Sequence, residues 1–310
     1  MPVIIPKELP ANKVLRGENV LVIDKERAEH QDIRPLNIAL VNLMPTKIAT
    51  ETQFTRLLSG SPIQINLDFV YTKSYTPKHI SMEHLTHFYK GLDEIRNKKY
   101  DAIIVTGAPV ENLSYEEVEY WEEMKEILDF TVTNCTCAMY ICWGAQAALY
   151  HFYGLEKHPL QKKMFGVFPH EKLVDNNLLL NGFDDIFFAP HSRHTYIEEK
   201  DIETLEEVKI LAKSEEAGVH IAATDDFKKI FIMGHGEYDR DTLKFEYDRD
   251  ISQGKEIDIP KNYYPNDDPT KTPFVCWRGA TNLLFKNFVN LVYQITPFDM
   301  EKIGKERLDG

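Results

Sequence analysis

A single cysteine follows an apolar segment at a point where a nucleophile could be presented. The segment 138–141 leads into Cys142, and Gly144 and Ala145 follow before a stretch typical of a helix. A nucleophile on a tight turn between a strand and a helix needs small neighbours because the backbone is strained there. Such a turn would expose the sulfur, and the N-terminus of the helix would favour the thiolate over the thiol. A buried structural cysteine is the alternative.

A histidine and a glutamate follow another apolar segment. His235 and Glu237 come directly after 231–233, and Gly234 and Gly236 flank the histidine. Residues two apart in extended backbone point to the same side, so Glu237 can lie beside the imidazole. A carboxylate there would fix the histidine tautomer and support its protonated form, as in a catalytic triad. A solvated loop histidine with an incidental glutamate is the alternative.

A third apolar segment, 100–106, ends in the small residues Gly107 and Ala108. Backbone N–H groups of such a loop could stabilise an oxyanion, although taken alone the loop is only a turn. Cys142 and His235 both fall at the carboxyl ends of predicted strands, where open α/β sheets build active sites. The spacing of Cys135, Cys137 and Cys142 could suggest zinc, but a buried strand alternates its faces, and we predict no metal site.

Strand-like and helix-like segments alternate from Leu36 onward. Several apolar runs are apolar on both faces, which is typical of strands inside a parallel sheet. The predicted strands are 36–43, 63–71, 100–106, 132–141, 185–189, 208–212, 220–223 and 229–233. Predicted helices are 46–59, 115–129, where Ser114 and Glu117 form a capping-box pattern, and 281–295. The alternation predicts an α/β fold, with a doubly wound, mostly parallel sheet flanked by helices.

The 310 residues predict one large catalytic α/β domain at 35–298, preceded by an N-terminal arm at 1–34 and followed by a short charged tail at 299–310. Lys and Arg total 36 against 49 Asp and Glu, and this net charge of −13 argues against a nucleic-acid partner. With no signal-peptide pattern, no membrane-spanning run and too few cysteines for a disulfide framework, we expect a cytoplasmic protein. An arm of this length favours a homodimer.

The loop, the cysteine turn and the His-x-Glu motif, in this order, resemble the class I glutamine amidotransferase-like superfamily. The chain departs from that pattern at two positions that are usually glycine, where it has Ala108 and Tyr140. A narrower resemblance covers nearly the whole chain. The segments 30–36, 42–47, 106–111, 141–146 and 190–193 resemble the homoserine O-acyltransferases of methionine biosynthesis.

This resemblance implies a ping-pong acyl transfer. Cys142 would attack an acyl-CoA thioester, and His235, oriented by Glu237, would act as the base for the thiol and then for the homoserine hydroxyl. The resemblance also assigns contacts with the amino-acid substrate to Lys163, Ser192 and Arg249. Residue types agree with this, since arginine grips a carboxylate in a fork and lysine supplies a point charge. We expect the oxyanion to be bound by the backbone N–H groups of Trp143 and Ala108.

In that family, Glu at position 111 goes with acetyl-CoA, and a small residue goes with succinyl-CoA. An ionised, unpaired Glu111 ~4 Å from the distal carboxylate of a succinyl group would repel it by about 4 kcal/mol at an effective dielectric constant of ~20, roughly a thousandfold in rate. We therefore expect acetyl-CoA and L-homoserine as substrates and no permanently bound cofactor. The alternatives are succinyl transfer, glutamine amide transfer, and a non-catalytic redox sensor in which Cys142 is oxidised.

Overall fold

The structure, a computed structural model, describes residues 34–75 and 80–304, together with the backbone of residues 3–4 and 22–23. The latter form two short strands, β1 (Val3–Ile4) and β2 (Val22–Ile23), which pair in parallel. Most of the predicted arm and residues 305–310 of the predicted tail lie outside the described residues. The domain boundaries therefore stay a prediction.

Ten strands form one sheet within the described part of the chain. They are β3 (Leu36–Val41), β4 (Ile65–Val70), β5 (Tyr89–Lys90), β6 (Tyr100–Val105), β7 (Cys135–Ile141), β8 (His158–Lys172), β9 (Ile186–Tyr196), β10 (Val208–Ser214), β11 (Gly218–Thr224) and β12 (Lys229–Ile232). Their spatial order is β5-β4-β3-β6-β7-β12-β11-β10-β8-β9. The strands from β5 to β12 in this order pair in parallel, and the remaining pairings are antiparallel. The predicted mostly parallel α/β sheet is confirmed.

Helices cover both faces of the parallel half. The helices of the described residues are α1 (Lys47–Leu58), α2 (Met82–Phe88), α3 (Leu92–Ile95), α4 (Trp121–Asn134), α5 (Trp143–Tyr153), α6 (Glu199–Ile202), α7 (Thr242–Ser252) and α8 (Arg278–Ile295). Side chains of α4 and α5 pack on one face of the sheet, and those of α1 and α8 pack on the other. Strand β6 contributes Ile103 and Val105 to the first core and Ala102 and Ile104 to the second. This burial on both faces explains why the consecutive residues 102–105 are all apolar.

Two regions differ from the sequence prediction. Residues 132–134, predicted as strand, are the last residues of α4, whose buried stripe continues through Phe130 and Thr131. The capping-box pair Ser114 and Glu117 forms, but it opens a 3₁₀ turn ahead of α4. Strand β8 was not predicted, because its sequence is mixed in polarity and only part of it is buried. It pairs with β9, which extends seven residues beyond the predicted end at 189.

Candidate active site

Cys142 occupies a tight turn between β7 and α5. Its backbone has φ 51° and ψ −117°, a left-handed conformation that a residue other than glycine adopts only under strain. The N–H of Cys142 donates to the carbonyl oxygen of Ile232 at 2.7 Å, which ties the turn to the neighbouring strand β12. A Cβ on Gly144 would lie 2.7 Å from the carbonyl oxygen of Thr106. The glycine therefore allows the first turn of α5 to pack against the end of β6.

His235 and Glu237 follow β12 and form a buried pair. The imidazole Nδ1 and a Glu237 carboxylate oxygen are 2.7 Å apart, and both side chains are less than a tenth exposed. The N–H of His235 donates to the carbonyl oxygen of Pro190, and the ring of Tyr238 stacks on the imidazole with centroids 4.3 Å apart. These contacts fix the imidazole and leave Nε2 as the ring nitrogen that can serve the cysteine.

The cysteine and the histidine meet beside Gly107. A Cβ on Gly107 would lie 3.1 Å from Cys142 Cβ and 3.5 Å from His235 Cε1, so only a hydrogen fits between the loop and this pair. Burial alone would lower the pKa of His235. The charges of the Cys142 sulfur and the Glu237 carboxylate, together with their hydrogen bonds to the ring, outweigh burial and raise the pKa well above its ordinary value. The arrangement suits nucleophilic catalysis by a cysteine with a histidine base.

A cleft of about 1000 Å³ opens above these residues at the carboxyl edge of the parallel strands. It brings together every side chain predicted for the site, namely Cys142, His235, Glu237, Glu111, Lys163, Ser192 and Arg249, and its wall includes Ala108. Trp143 is fully buried and can contribute only its backbone. Among the described residues, the backbone N–H groups of Trp143 and Ala108 have no acceptor, as donors to an oxyanion require.

The three residues predicted to contact the amino acid are held by two carboxylates that the sequence analysis did not single out. Glu246 accepts hydrogen bonds from Lys163 Nζ at 3.0 Å and Ser192 Oγ at 2.5 Å. Asp250 accepts one from Arg249 Nε at 2.8 Å. Glu246, Arg249 and Asp250 of α7 all line the cleft, and Arg249 and Asp250 follow Glu246 by three and four residues, which places them on one helix face. That helical spacing is the signal from which the two carboxylates could have been found.

Glu111 lines the same cleft. From the sequence we expected an ionised, unpaired Glu111, but in the structure this side chain has a partner. Its carboxylate accepts a hydrogen bond from the backbone N–H of His194. Burial raises the pKa of Glu111, while that hydrogen bond and the positive charges of His235, Lys163 and Arg193 oppose the rise. The charge repulsion available against a second carboxylate is therefore smaller than for a fully ionised, isolated group.

Three further histidines lie behind the catalytic loop. His170, His191 and His220 are almost fully buried, their ring nitrogens lie within 4.8 Å of one another, and burial is the main cause that lowers the pKa of all three, that of His170 to about 3. Neutral imidazoles in such a group could ligate a metal ion. However, Arg193 donates to Nδ1 of His191 at 3.4 Å, and this permanent positive charge opposes a cation there. The predicted absence of a metal stays a prediction.

Comparison with known proteins gives consistent matches in sequence and fold. The model of the family described as homoserine O-succinyltransferase matches residues 2–298. A homoserine O-acetyltransferase from Acetivibrio thermocellus is 55% identical over 304 residues, 98% of this chain and 100% of the relative. One from Clostridium acetobutylicum is 56% identical over 301 residues, 97% of this chain and 100% of the relative.

Solved structures match more distantly. A glutamine amidotransferase from Thermotoga maritima has a TM-score of 0.51 at 13% identity, over 84% of this chain and 99% of that one. A putative GMP synthase component from Thermoplasma acidophilum has a TM-score of 0.53 at 12% identity, over 84% of this chain and 96% of that one. At such identities the likeness shows the fold alone, and it confirms the predicted glutamine amidotransferase-like architecture. None of the described helices is long and apolar enough to cross a membrane.

Proposed function

Because the chain belongs to the homoserine O-succinyltransferase family, and is thus an acyltransferase, we propose that it transfers an acetyl group from acetyl-CoA to the hydroxyl of L-homoserine through a thioester on Cys142. The observation that carries the mechanism is the contact of Cys142 with the His235–Glu237 pair at the floor of the cleft. The donor is supported by relatives named homoserine O-acetyltransferase.

The first half-reaction loads the enzyme. His235 takes the proton of the Cys142 thiol on Nε2, because its Nδ1 is held by Glu237. The thiolate attacks the carbonyl carbon of acetyl-CoA, and the resulting oxyanion accepts hydrogen bonds from the N–H groups of Trp143 and Ala108. When the tetrahedral intermediate collapses, the bond to the CoA sulfur breaks, His235 returns its proton to that sulfur, and CoA leaves.

The second half-reaction unloads it. The hydroxyl of homoserine gives its proton to His235 and attacks the thioester carbonyl carbon in the same oxyanion site. Collapse breaks the bond to Cys142 Sγ, which regains the proton from His235 and releases O-acetylhomoserine. One general base thus serves both steps, and the reaction uses no resident cofactor or metal, acetyl-CoA being a co-substrate.

The charged wall of the cleft suits a zwitterionic amino acid. Arg249 is about half exposed at the mouth, and its guanidinium can turn from Asp250 to grip the substrate carboxylate in a fork. Glu246 can accept the substrate ammonium, because its carboxylate already faces the cleft beside Lys163 and Ser192. Homoserine would then extend its hydroxyl towards Cys142.

Succinyl transfer is the second candidate, since the family model is named for it. Glu111 favours the acetyl donor because its side chain lines the same cleft as Cys142 and interacts electrostatically with His235, so that its carboxyl group would oppose the distal carboxylate of a succinyl group. Release of CoA, measured with each donor at several homoserine concentrations, tests the proposal. We expect parallel double-reciprocal lines with acetyl-CoA and far slower turnover with succinyl-CoA. Hydrolysis of glutamine without turnover of either thioester would contradict it.

A further inference from the structure

Arg193 is a buried cation without a carboxylate partner. It is 3% exposed, and its guanidinium donates to the carbonyl oxygen of Thr195 at 2.8 Å, to that of Ala217, and to Nδ1 of His191. Within the described ranges, no Asp or Glu oxygen is bonded to it. A buried charge is costly unless opposite charge lies nearby, and carbonyl dipoles alone leave the charge uncompensated. The fold therefore keeps this charge for a reason other than an ion pair.

Hydrogen bonds connect Arg193 to the first turn of α5, which follows Cys142. The carbonyl oxygen of Thr195 accepts from Arg193 and also from Nε2 of Gln146, at 3.1 Å. Gln146 is four residues after Cys142, in the first turn of α5. Ser192 and His194, which flank Arg193 along β9, both line the cleft, and the backbone N–H of His194 also bonds to Glu111. Alternation along the strand thus puts the guanidinium behind the wall of the cleft, opposite the substrate.

The groups around Arg193 are neutral histidines on one side and the residues Cys142 and Glu111 on the other. Away from the cleft, His191 accepts a hydrogen bond from Arg193 on Nδ1, so its Nε2 carries the hydrogen that points at His170 Nε2, 3.0 Å away. Burial lowers the pKa of these histidines, and they remain neutral. Burial lowers the pKa of the Arg193 guanidinium, and electrostatic attraction between Arg193 and negative charge at Cys142 or Glu111 opposes that effect.

We propose that Arg193 is an electrostatic positioning residue whose permanent charge, acting from behind strand β9, stabilises negative charge at Cys142: the thiolate that forms when the thiol loses its proton, and the oxyanions of both half-reactions. The charge adds to the field of the α5 N-terminus, which points at the same atoms. This role rests on the proposed function for the oxyanions but not for the thiolate. At an effective dielectric constant of ~20, a unit charge next to an active site changes a rate on the order of 10- to 100-fold.

The test is the pH dependence of alkylation of Cys142 by iodoacetamide, measured on the Cys142 peptide by mass spectrometry in the wild-type protein and in Arg193→Gln, Arg193→Met and Arg193→Lys. The charged and titratable groups around the sulfur are common to all four proteins: His235, Glu237, Tyr238, Glu111 and Lys163. Exposed Cys276 in the same samples serves as the internal control. Circular dichroism identifies the variants that fold.

We expect the two neutral variants to shift the midpoint of alkylation upward by roughly one pH unit or more. Arg193→Lys should stay near the wild type, and Cys276 should be unchanged in all. If the neutral variants do not fold, Arg193→citrulline, introduced by codon suppression, keeps most of the hydrogen-bond donors and removes only the charge. A folded neutral variant or the citrulline protein with the wild-type midpoint overturns the proposal. Alkylation needs no acyl donor, so this result stands apart from any failure of the acetyltransferase assignment.

Discussion

Replacing Glu111 should change the choice of acyl donor. Its carboxylate lies in the cleft with Cys142, so a succinyl group on the sulfur would bring a second carboxylate close to it. At ~4 Å and an effective dielectric constant of ~20, two full charges repel by about 4 kcal/mol, or roughly a thousandfold in rate. That value is an upper bound, because burial raises the pKa of Glu111 and the N–H of His194 is already bonded to it.

Two substitutions separate charge from volume. Glu111→Gln keeps the size of the side chain, and we expect it to raise the ratio of kcat/KM for succinyl-CoA to that for acetyl-CoA by about 10- to 100-fold. Glu111→Gly removes both charge and bulk and should raise the ratio further, towards a thousandfold. The assay is release of CoA from each donor at saturating homoserine. Asn112→Ala, at the adjacent position of the same cleft wall, is the control and should leave the ratio unchanged.

If both Glu111 variants keep the wild-type ratio, Glu111 does not select the acyl donor. If the ratio increases in Glu111→Gly alone and stays at the wild-type value in Glu111→Gln, the volume of the side chain and not its charge determines the choice of donor.

Four other substitutions have defined outcomes. Glu237→Gln removes the charge bonded to His235, so kcat should fall by about 10³-fold. The pKa of His235, followed by NMR of the imidazole, should decrease. An unchanged pKa would show that the carboxylate does not support the imidazolium. Arg249→Met should raise KM for homoserine at least tenfold while acetylation of the enzyme by acetyl-CoA keeps its rate, and a slower acetylation step would place the residue at the donor instead. Gly144→Ala would put a Cβ 2.7 Å from a backbone oxygen and should lower Tm and activity together. Gly279→Ala, in open space on α8, should instead raise stability by about 0.5 kcal/mol. Equal Tm values for the two variants would contradict the close approach of Gly144 to the end of β6.

The parallel half of the sheet was predictable because its central strands are buried on both faces and its long helices carry one apolar stripe. Strand β6, buried at every position, is an example. The antiparallel half was harder, since β8 contains two prolines and exposed polar residues, and its pairing with β9 depends on residues far along the chain. At the junction of α4 and β7, β-branched residues favoured a strand, but packing of the helix onto the sheet prevailed over that propensity.

For the site, the cysteine turn and the His-x-Glu motif were predictable from local sequence, because strand alternation and small neighbours dictate where those side chains point. The contacts of Lys163 and Arg249 came only from family resemblance, and their partners Glu246 and Asp250 were missed. The charge state of Glu111 could not be foreseen either. It depends on burial and on a backbone N–H from another strand, which no local pattern encodes.

The proposed mechanism depends on a covalent acetyl group on Cys142, which mass spectrometry can detect after the protein is mixed with acetyl-CoA in the absence of homoserine. We expect an acetyl adduct on the peptide that contains Cys142, none in Cys142→Ala, and its loss with formation of O-acetylhomoserine when homoserine is added. A protein that turns over acetyl-CoA and homoserine without ever forming that adduct would contradict it.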